Sequence, residues 1–229
     1  MRTVIAGGHG QIARRLTQLL SSRGDEVVGL VRQPPHVHHV EQDGGSAVVL
    51  DMESASVAEV ARVLDGADAA VFAAGAGPGS GIARKDTVDR AGAVLLADAA
   101  EEAGVVRFVQ ISSMGTDLVA HGAVPSGVDE VFVAYLRAKA AAEDDLRRRS
   151  SLAWTILRPG GLTNDPGTGL VTLASRVGRG SVPREDVAAV VAALLDERRT
   201  ARMTLELTSG DMPADRAVAA LATHTEETS

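Results

Sequence analysis

Seven residues near the start of the chain, Gly7-Gly8-His9-Gly10-Gln11-Ile12-Ala13, constrain the fold more than any other stretch. They lie between a β-rich run, Arg2 to Ala6, and an amphipathic run, Gln11 to Arg23. Gly8, Gly10 and Ala13 fit G-x-G-x-x-G/A, whereas Gly7, Gly10 and Ala13 fit the wider G-x-x-G-x-x-G/A. In either frame the glycines permit a tight turn and let the backbone approach a pyrophosphate. A small Ala13 lets the helix sit close to the strand, and the helix N-terminus offers free N–H groups to an anion. Gly7, Gly8, His9, Gly10, Gln11 and Ile12 are therefore candidate binding residues for a dinucleotide.

The rest of the chain repeats the same alternation. Glu26–Val31, Ser46–Leu50, Asp68–Ala73, Val105–Ile111, Ala153–Leu157 and Met203–Leu207 read as strands. Ser54–Leu64, Asp86–Ala103, Asp129–Arg149, Pro183–Asp196 and Pro213–Ala222 carry helical periodicity. Apolar strands separated by amphipathic helices imply right-handed βαβ units and a parallel sheet covered on both faces. The fold class is α/β, a Rossmann-type doubly wound sheet of about seven strands ordered 3-2-1-4-5-6-7. Residues 1–229 are read as one domain, with residues 160–182 and 209–222 forming a small substrate-side cap. Gln33–Gly45, Gly75–Gly81, Gly115–Gly127 and Gly160–Ser181 read as irregular. All but the first follow strand ends, where ligands of such sheets bind.

Composition narrows the ligand classes. The net charge is −7 and aromatic residues make up 2%, which argues against a basic or base-stacking nucleic-acid surface. Cysteine is absent, so thiolate metal sites and cysteine nucleophiles are excluded. No apolar run approaches the roughly 20 residues of a membrane span. The expectation is a cytoplasmic monomer or homodimer that binds small molecules, with no nucleic-acid or membrane partner. His36, His38 and His39 follow Pro34-Pro35 and read as a solvated loop, since no further ligands with metal-site spacing are evident. Glu185 and Asp186 read as first-turn charges that stabilise a helix N-terminus. Gly77 to Gly81 reads equally as a lid or as a passive connection.

Arg32 bears on cofactor choice. An acid about 20 residues after the glycine loop would hold a ribose hydroxyl. The second strand ends instead in Leu30-Val31-Arg32, and a guanidinium there suits a 2′-phosphate, which favours NADP over NAD. Arg14 or Arg15 could assist.

Several segments then fall in a familiar order: Asp51-Met52, Ala73-Ala74-Gly75, Ile111-Ser112-Ser113-Met114-Gly115, Tyr135-Leu136-Arg137-Ala138-Lys139 and Leu157-Arg158-Pro159-Gly160-Gly161-Leu162. The chain resembles the short-chain dehydrogenase/reductase superfamily across residues 1 to 222, most closely its atypical, extended-type NAD(P)H-binding branch. Trp154 to Gly160, Asp165 to Gly169 and Arg184 to Ala188 look like segments of that branch. The resemblance implies that Asp51 and Met52 flank the adenine, and that Ala73, Ala74 and Gly75 line the adenosine ribose and pyrophosphate side. It implies that Ser112 or Ser113 holds a substrate carbonyl and that Tyr135 is the acid/base. Lys139 would bind the nicotinamide ribose and tune Tyr135, and Pro159, Gly160, Gly161 and Leu162 would touch the nicotinamide amide.

The chemistry is coherent without the resemblance. Residues four apart share a helix face, and an ammonium beside a phenol favours the phenolate. Tyr135 is the only tyrosine, and Lys85 and Lys139 are the only lysines. A chance lysine four residues after it is expected about one time in a hundred on composition. The leading expectation is an NADP-dependent oxidoreductase acting on a small carbonyl or quinone-like compound. A nucleotide-sugar epimerase or dehydratase with tightly held NAD, and a non-catalytic NADP(H)-binding redox sensor, are the alternatives.

Overall fold

The computed structural model describes residues 1–77, 79–124 and 127–224. The chain begins with β1 (Arg2–Ala6), α1 (Gln11–Ser22) and β2 (Glu26–Val31). Next come α2 (Val37–Gln42), β3 (Ser46–Val49), α3 (Val57–Leu64) and β4 (Ala69–Phe72). A short α4 (Ile82–Arg84) leads through a π-helical stretch, Lys85–Ala91, into α5 (Gly92–Glu102). Then follow β5 (Arg107–Ile111), α6 (Glu130–Arg147) and β6 (Ala153–Pro159). The remainder comprises β7 (Gly161–Thr163), β8 (Leu170–Ala174), β9 (Ser181–Pro183), α7 (Arg184–Asp196), β10 (Met203–Ser209), β11 (Met212–Pro213) and α8 (Ala214–His224).

β1, β2 and β4 carry continuous buried apolar runs because both faces of the sheet are covered there, whereas the edge strand β3 is only partly covered. Ile5 packs toward α1, α7 and α8, while its neighbours Val4 and Ala6 pack toward α3, α5 and α6. Phe72 and Phe108 fill the second layer, and Val71 and Val109 the first. The sheet order is β3-β2-β1-β4-β5-β6-β10, as the sequence implies, with every one of these pairings parallel. The order reverses between β1 and β4, and that is where a crevice opens outside the strand ends.

The sheet has nine strands among the described residues, not seven. β8 pairs antiparallel with β10, and β11 pairs antiparallel with β8. β8 comes from the stretch Gly160–Ser181 read as irregular, and β11 takes in Pro213, read as the first residue of the closing helix. Leu170–Ala174 alternates, with Val171 and Leu173 buried and Thr172 exposed, as a half-solvated edge strand does. A separate two-stranded ribbon, β7 with β9, is also drawn from residues 160–183. Gln33–Gly45 is likewise more regular than expected, since Pro34–His36 forms a 3₁₀ turn that runs into α2. The helix expected from Asp86 starts as the π-helical stretch. α3 begins three residues after the expected start, behind a reciprocal cap: the Ser56 hydroxyl accepts from the Glu59 N–H while the Glu59 carboxylate accepts from the Ser56 N–H.

One arginine closes the end of the sheet opposite the crevice. Arg107, at the start of β5, is buried without an acidic hydrogen-bond partner. Its guanidinium donates to the Ala153 carbonyl and Thr155 hydroxyl (both 2.8 Å), the Leu194 carbonyl (2.5 Å) and the Thr200 hydroxyl (3.0 Å). These bonds tie β5 and β6 to the last turn of α7, whose free carbonyls favour a cation. Burial pushes the group down to about 10, so it remains charged at neutral pH. Arg107→Met would remove four hydrogen bonds from this buried junction and is expected to destabilise the fold by about 3 kcal/mol. Urea titration measures this directly, and an unchanged midpoint and slope would refute the clamp.

Candidate functional site

The phosphate loop joins β1 to α1 at the centre of the sheet. Gly7 has φ +80°, and a Cβ there would lie 2.6 Å from the Ala74 Cα. Only glycine permits both the left-handed backbone and the close approach of the β1 and β4 ends. Gly10 stands at the N-cap of α1, and its N–H returns to the Gly7 carbonyl at 2.8 Å. Ala13 is fully buried beneath the helix. The structural work thus follows the wider spacing of Gly7, Gly10 and Ala13. Gly8 serves a different contact: its N–H donates to the Leu30 carbonyl at 2.9 Å, and a Cβ would meet Gly29 at 2.7 Å. It fastens the loop to β2. No acidic residue lies in the first turn of α1, so that helix end is electrostatically open to an anion.

A groove of about 260 Å³ runs from this loop along the ends of β2, β3 and β4. Gly7, His9, Gly10, Arg32, Asp51, Met52, Ala73, Ala74 and Gly75 all line it, although they come from four separate parts of the chain. Gln11 faces another surface with Arg14 and Arg15. Those two arginines are engaged elsewhere: Arg14 pairs with Asp43, and Arg15 donates to the Gln11 carbonyl of its own helix.

Three polar groove residues escaped the sequence reading: His36, Glu53 and Arg84. Glu53 lies between two guanidiniums, 2.7 Å from Arg84 and 3.5 Å from Arg32. Hydrogen bonds from Arg84 and Thr87 hold its carboxyl below the usual carboxylate range. Of the three histidines expected in a solvated loop, His36 lines the groove, His39 reaches His9, and His38 stays exposed. The His36 ring stacks on His9 with centroids 3.8 Å apart, and His39 Nδ1 lies 3.2 Å from His9 Nε2. Burial, and then the neighbouring His36 and His39, push His9 below the usual imidazole value. Among the described residues no group of histidines and carboxylates has the arrangement of a metal site.

A second cavity of about 630 Å³ shares Ala73, Ala74 and Gly75 with the groove. Tyr135, Lys139, Ser112, Ile12 and Leu162 line it. Lys139 is buried, and its ammonium donates to the carbonyls of Ile111 (3.2 Å) and Ala74 (3.4 Å), at the ends of β5 and β4. It also lies 3.3 Å from Asp89 Oδ1. Asp89 belongs to the π-helical stretch, is fully buried, and accepts the Ala76 N–H through Oδ2 at 3.1 Å. The second lysine, Lys85, sits four residues before Asp89 and donates to the Gly77 carbonyl at 2.9 Å. Both ammonium groups lie over the Tyr135 ring, at 5.6 Å for Lys85 and 5.9 Å for Lys139. The only two lysines of the chain therefore converge on its only tyrosine. A π-helical turn often marks such sites.

The two serines differ. Ser112 is buried and donates its hydroxyl proton to Glu143 Oε1 at 2.6 Å. Glu143 is wholly buried and also receives Arg158 (2.5 and 3.0 Å) and Arg147 (2.8 Å). Ser113 bonds the Met114 carbonyl and faces a third, outer cavity of about 890 Å³. Pro159, Gly160, Gly161 and Leu162 line the same outer cavity, and Leu162 lines the inner one as well. Glu185 and Asp186 do more than charge a helix end. Their carboxylates accept the N–H groups of Gly167 (2.9 Å), Thr168 (3.1 Å) and Gly169 (2.8 Å), docking the loop before β8 onto α7. In the Gly77–Gly81 connection, Pro78 lies outside the described residues, and Lys85 anchors the Gly77 carbonyl.

The groove fits a dinucleotide on three observations: the space Gly7 leaves at Ala74, the open α1 end, and the crevice at the strand-order reversal. Among the described residues no helix is long and apolar enough to cross a membrane. Comparison with known proteins agrees with this geometry. The NAD(P)H-binding family matches residues 7–198. YhfK of Bacillus subtilis, named an uncharacterized sugar epimerase, is 37% identical over 219 residues, covering 95% of this chain and 99% of that protein. A solved Bacillus halodurans protein, named as a candidate NAD-dependent epimerase/dehydratase, is 35% identical with a TM-score of 0.86, over 96% of this chain and 99% of that one. The oxidoreductase ylbE of Lactococcus lactis is 28% identical with a TM-score of 0.84, over 98% of each chain. With a nucleotide-shaped crevice at its strand ends and relatives aligned along nearly its full length, the chain belongs to the NAD(P)H-binding family of Rossmann-type α/β proteins, consistent with the atypical short-chain dehydrogenase/reductase branch.

Proposed function

We propose that the chain is an NADP-dependent oxidoreductase acting on a small carbonyl or quinone-like substrate. The observation that carries this reading is the inner cavity. It continues the cofactor groove through Ala73, Ala74 and Gly75 and brings Tyr135, Lys139 and Ser112 to one wall. A bound nicotinamide supplies the hydride. The chain's own residues then have separable tasks. Tyr135 gives its phenolic proton to the carbonyl oxygen as the carbonyl carbon is reduced, leaving an alcohol. Lys139, anchored to the ends of β4 and β5, orients the cofactor ribose and keeps positive charge beside the phenolate that forms. Lys85 adds a second positive charge over the same ring, which partly offsets the Asp89 carboxylate beside Lys139. Ser112 already donates its proton to Glu143. It can donate to a substrate carbonyl only by rotating away from that carboxylate, so Tyr135 is the primary donor.

At the other end, Arg32 and Arg84 face the groove with a single carboxylate, Glu53, between them. Asp51 and Glu53 balance the two guanidiniums in charge, so the support for NADP is the guanidinium pair itself, whose planar donors suit an adenosine 2′-phosphate. The Ser112–Glu143 bond favours a second reading, a non-catalytic sensor of NADP(H) occupancy, because it leaves the cavity one donor fewer.

Two measurements test this. NADPH is expected to bind at least tenfold more tightly than NADH, and Arg32→Ala should reduce that ratio to about twofold, a loss on the order of 1 kcal/mol. An unchanged ratio would remove Arg32 from cofactor selection. Tyr135→Phe should lower turnover of aldehydes or quinones, followed at 340 nm, by at least about a hundredfold while NADPH still binds. Full activity in that variant would remove Tyr135 from the chemistry. Tight NADPH binding with no turnover across the panel would instead select the sensor.

A further inference from the structure

The outer cavity has a composition at odds with the rest of the molecule. The chain carries a net charge of −7, yet Arg176, Arg179 and Arg184 all line this one cavity. Arg179 forms no ion pair or hydrogen bond among the described residues. Arg184 makes no ion pair and donates only to the Asn164 side-chain carbonyl, at 2.8 Å. Arg176 approaches Asp117 no closer than 3.5 Å, and Asp117 already receives Arg158 at 3.1 Å. The acids on this wall, Asp117 and Glu206, are thus both occupied, Glu206 by the Val177 N–H at 2.8 Å.

The segment that carries these arginines is seated rather than loose. The Val177–Glu206 bond fixes its middle. Its end is fixed by Gly180, whose carbonyl accepts the Gly161 N–H at 2.9 Å and would lie 2.4 Å from a Cβ on Gly160. A side chain at Gly160 would force the two backbones apart, so this glycine sets how near the arginine turn sits to the end of β6. Arg184 belongs to the next element, at the first position of α7, and lines the inner cavity too.

The facing walls are apolar. Leu118, Phe132 and Leu162 are each 40% exposed or more and line the cavity beside Tyr135. Exposed apolar side chains gathered in one concavity mark a binding surface. Apolar walls under a rim of uncommitted guanidiniums suit a ligand with an apolar body and an anionic end, since guanidinium is the side chain best matched to carboxylate or phosphate geometry. We infer that the substrate is an amphipathic anion. Its apolar, carbonyl-bearing part lies against Phe132 and Leu162 toward Tyr135, and its carboxylate or comparable anionic group is held by Arg179 and Arg184. This inference rests on the reading of the Tyr135 cavity as the reaction site.

The test uses the full chain loaded with NADP⁺ and one matched pair of probes, 6-formyl-2-naphthoic acid and its methyl ester, which differ mainly in charge. Calorimetry should show the acid binding at least tenfold more tightly than the ester. In Arg179→Ala/Arg184→Ala that preference should fall below threefold, while Arg179→Lys should retain part of it. Equal affinity for acid and ester in the unaltered protein, or binding of neither at millimolar concentration, overturns the inference. A preference untouched by the double substitution overturns the assignment to these arginines. Turnover with NADPH is read separately: acid-selective binding without 340 nm oxidation by these probes or by the aldehyde and quinone panel supports anion recognition while refuting the oxidoreductase reading, and oxidation of both probes at equal kcat/KM does the reverse.

Discussion

The buried ammonium of Lys139 is the contact around which the site is built. Burying a cation costs several kcal/mol unless acceptors surround it. Here two backbone carbonyls, from Ala74 and Ile111, and one carboxylate, from Asp89, do so. Each acceptor belongs to a different element. The ammonium therefore links the end of β4, the end of β5 and the π-helical stretch to α6. The groove beside the glycine loop and the cavity beneath Tyr135 both open at those ends.

A second buried charge system lies behind the first. Glu143, one helical turn beyond Lys139, gathers Ser112, Arg147 and Arg158 with no exposure to solvent. Arg158 belongs to the Leu157-Arg158-Pro159-Gly160 segment, so the residues that look like a cofactor-side motif include one whose contacts are a buried carboxylate and Asp117. It holds the end of β6 against α6 and thereby sets the outer cavity's wall. The same network explains why Ser112 and Ser113, adjacent in sequence, serve different surroundings. One is turned into the buried carboxylate, and the other faces the outer cavity.

Much of this arrangement was legible in the residues. The parallel sheet covered on both faces followed from alternation, because period-2 and period-3.6 patterns report which faces are buried, and the strand order came with the doubly wound pattern. The glycine spacing pointed to the β1–α1 turn, and the pairing of a lone tyrosine with a lysine four residues on pointed to a shared helix face. The histidines were misread for a specific reason. His36 and His39 show no partner nearby in sequence, and the residue they meet, His9, lies in the phosphate loop, brought close only when β1 and β2 pair, whereas His38 is exposed as expected. β8 lies amid glycines that read as loop, and the two-residue edge strand β11 is too short to show a period before the closing helix.

By itself, the amino-acid sequence determined the doubly wound class, the place of the phosphate loop, and the identity of the tyrosine and lysine that share a helix face. Those features depend on local periodicity and on residue types a few positions apart. Only the tertiary structure decided that Lys85 and Asp89 join Lys139 and that Glu53 stands between Arg32 and Arg84. It alone gathered Arg176, Arg179 and Arg184 over an apolar cavity. Charges distant in the chain acquire partners or lose them according to which strand ends and helix faces the sheet brings together, and no local pattern carries that distance.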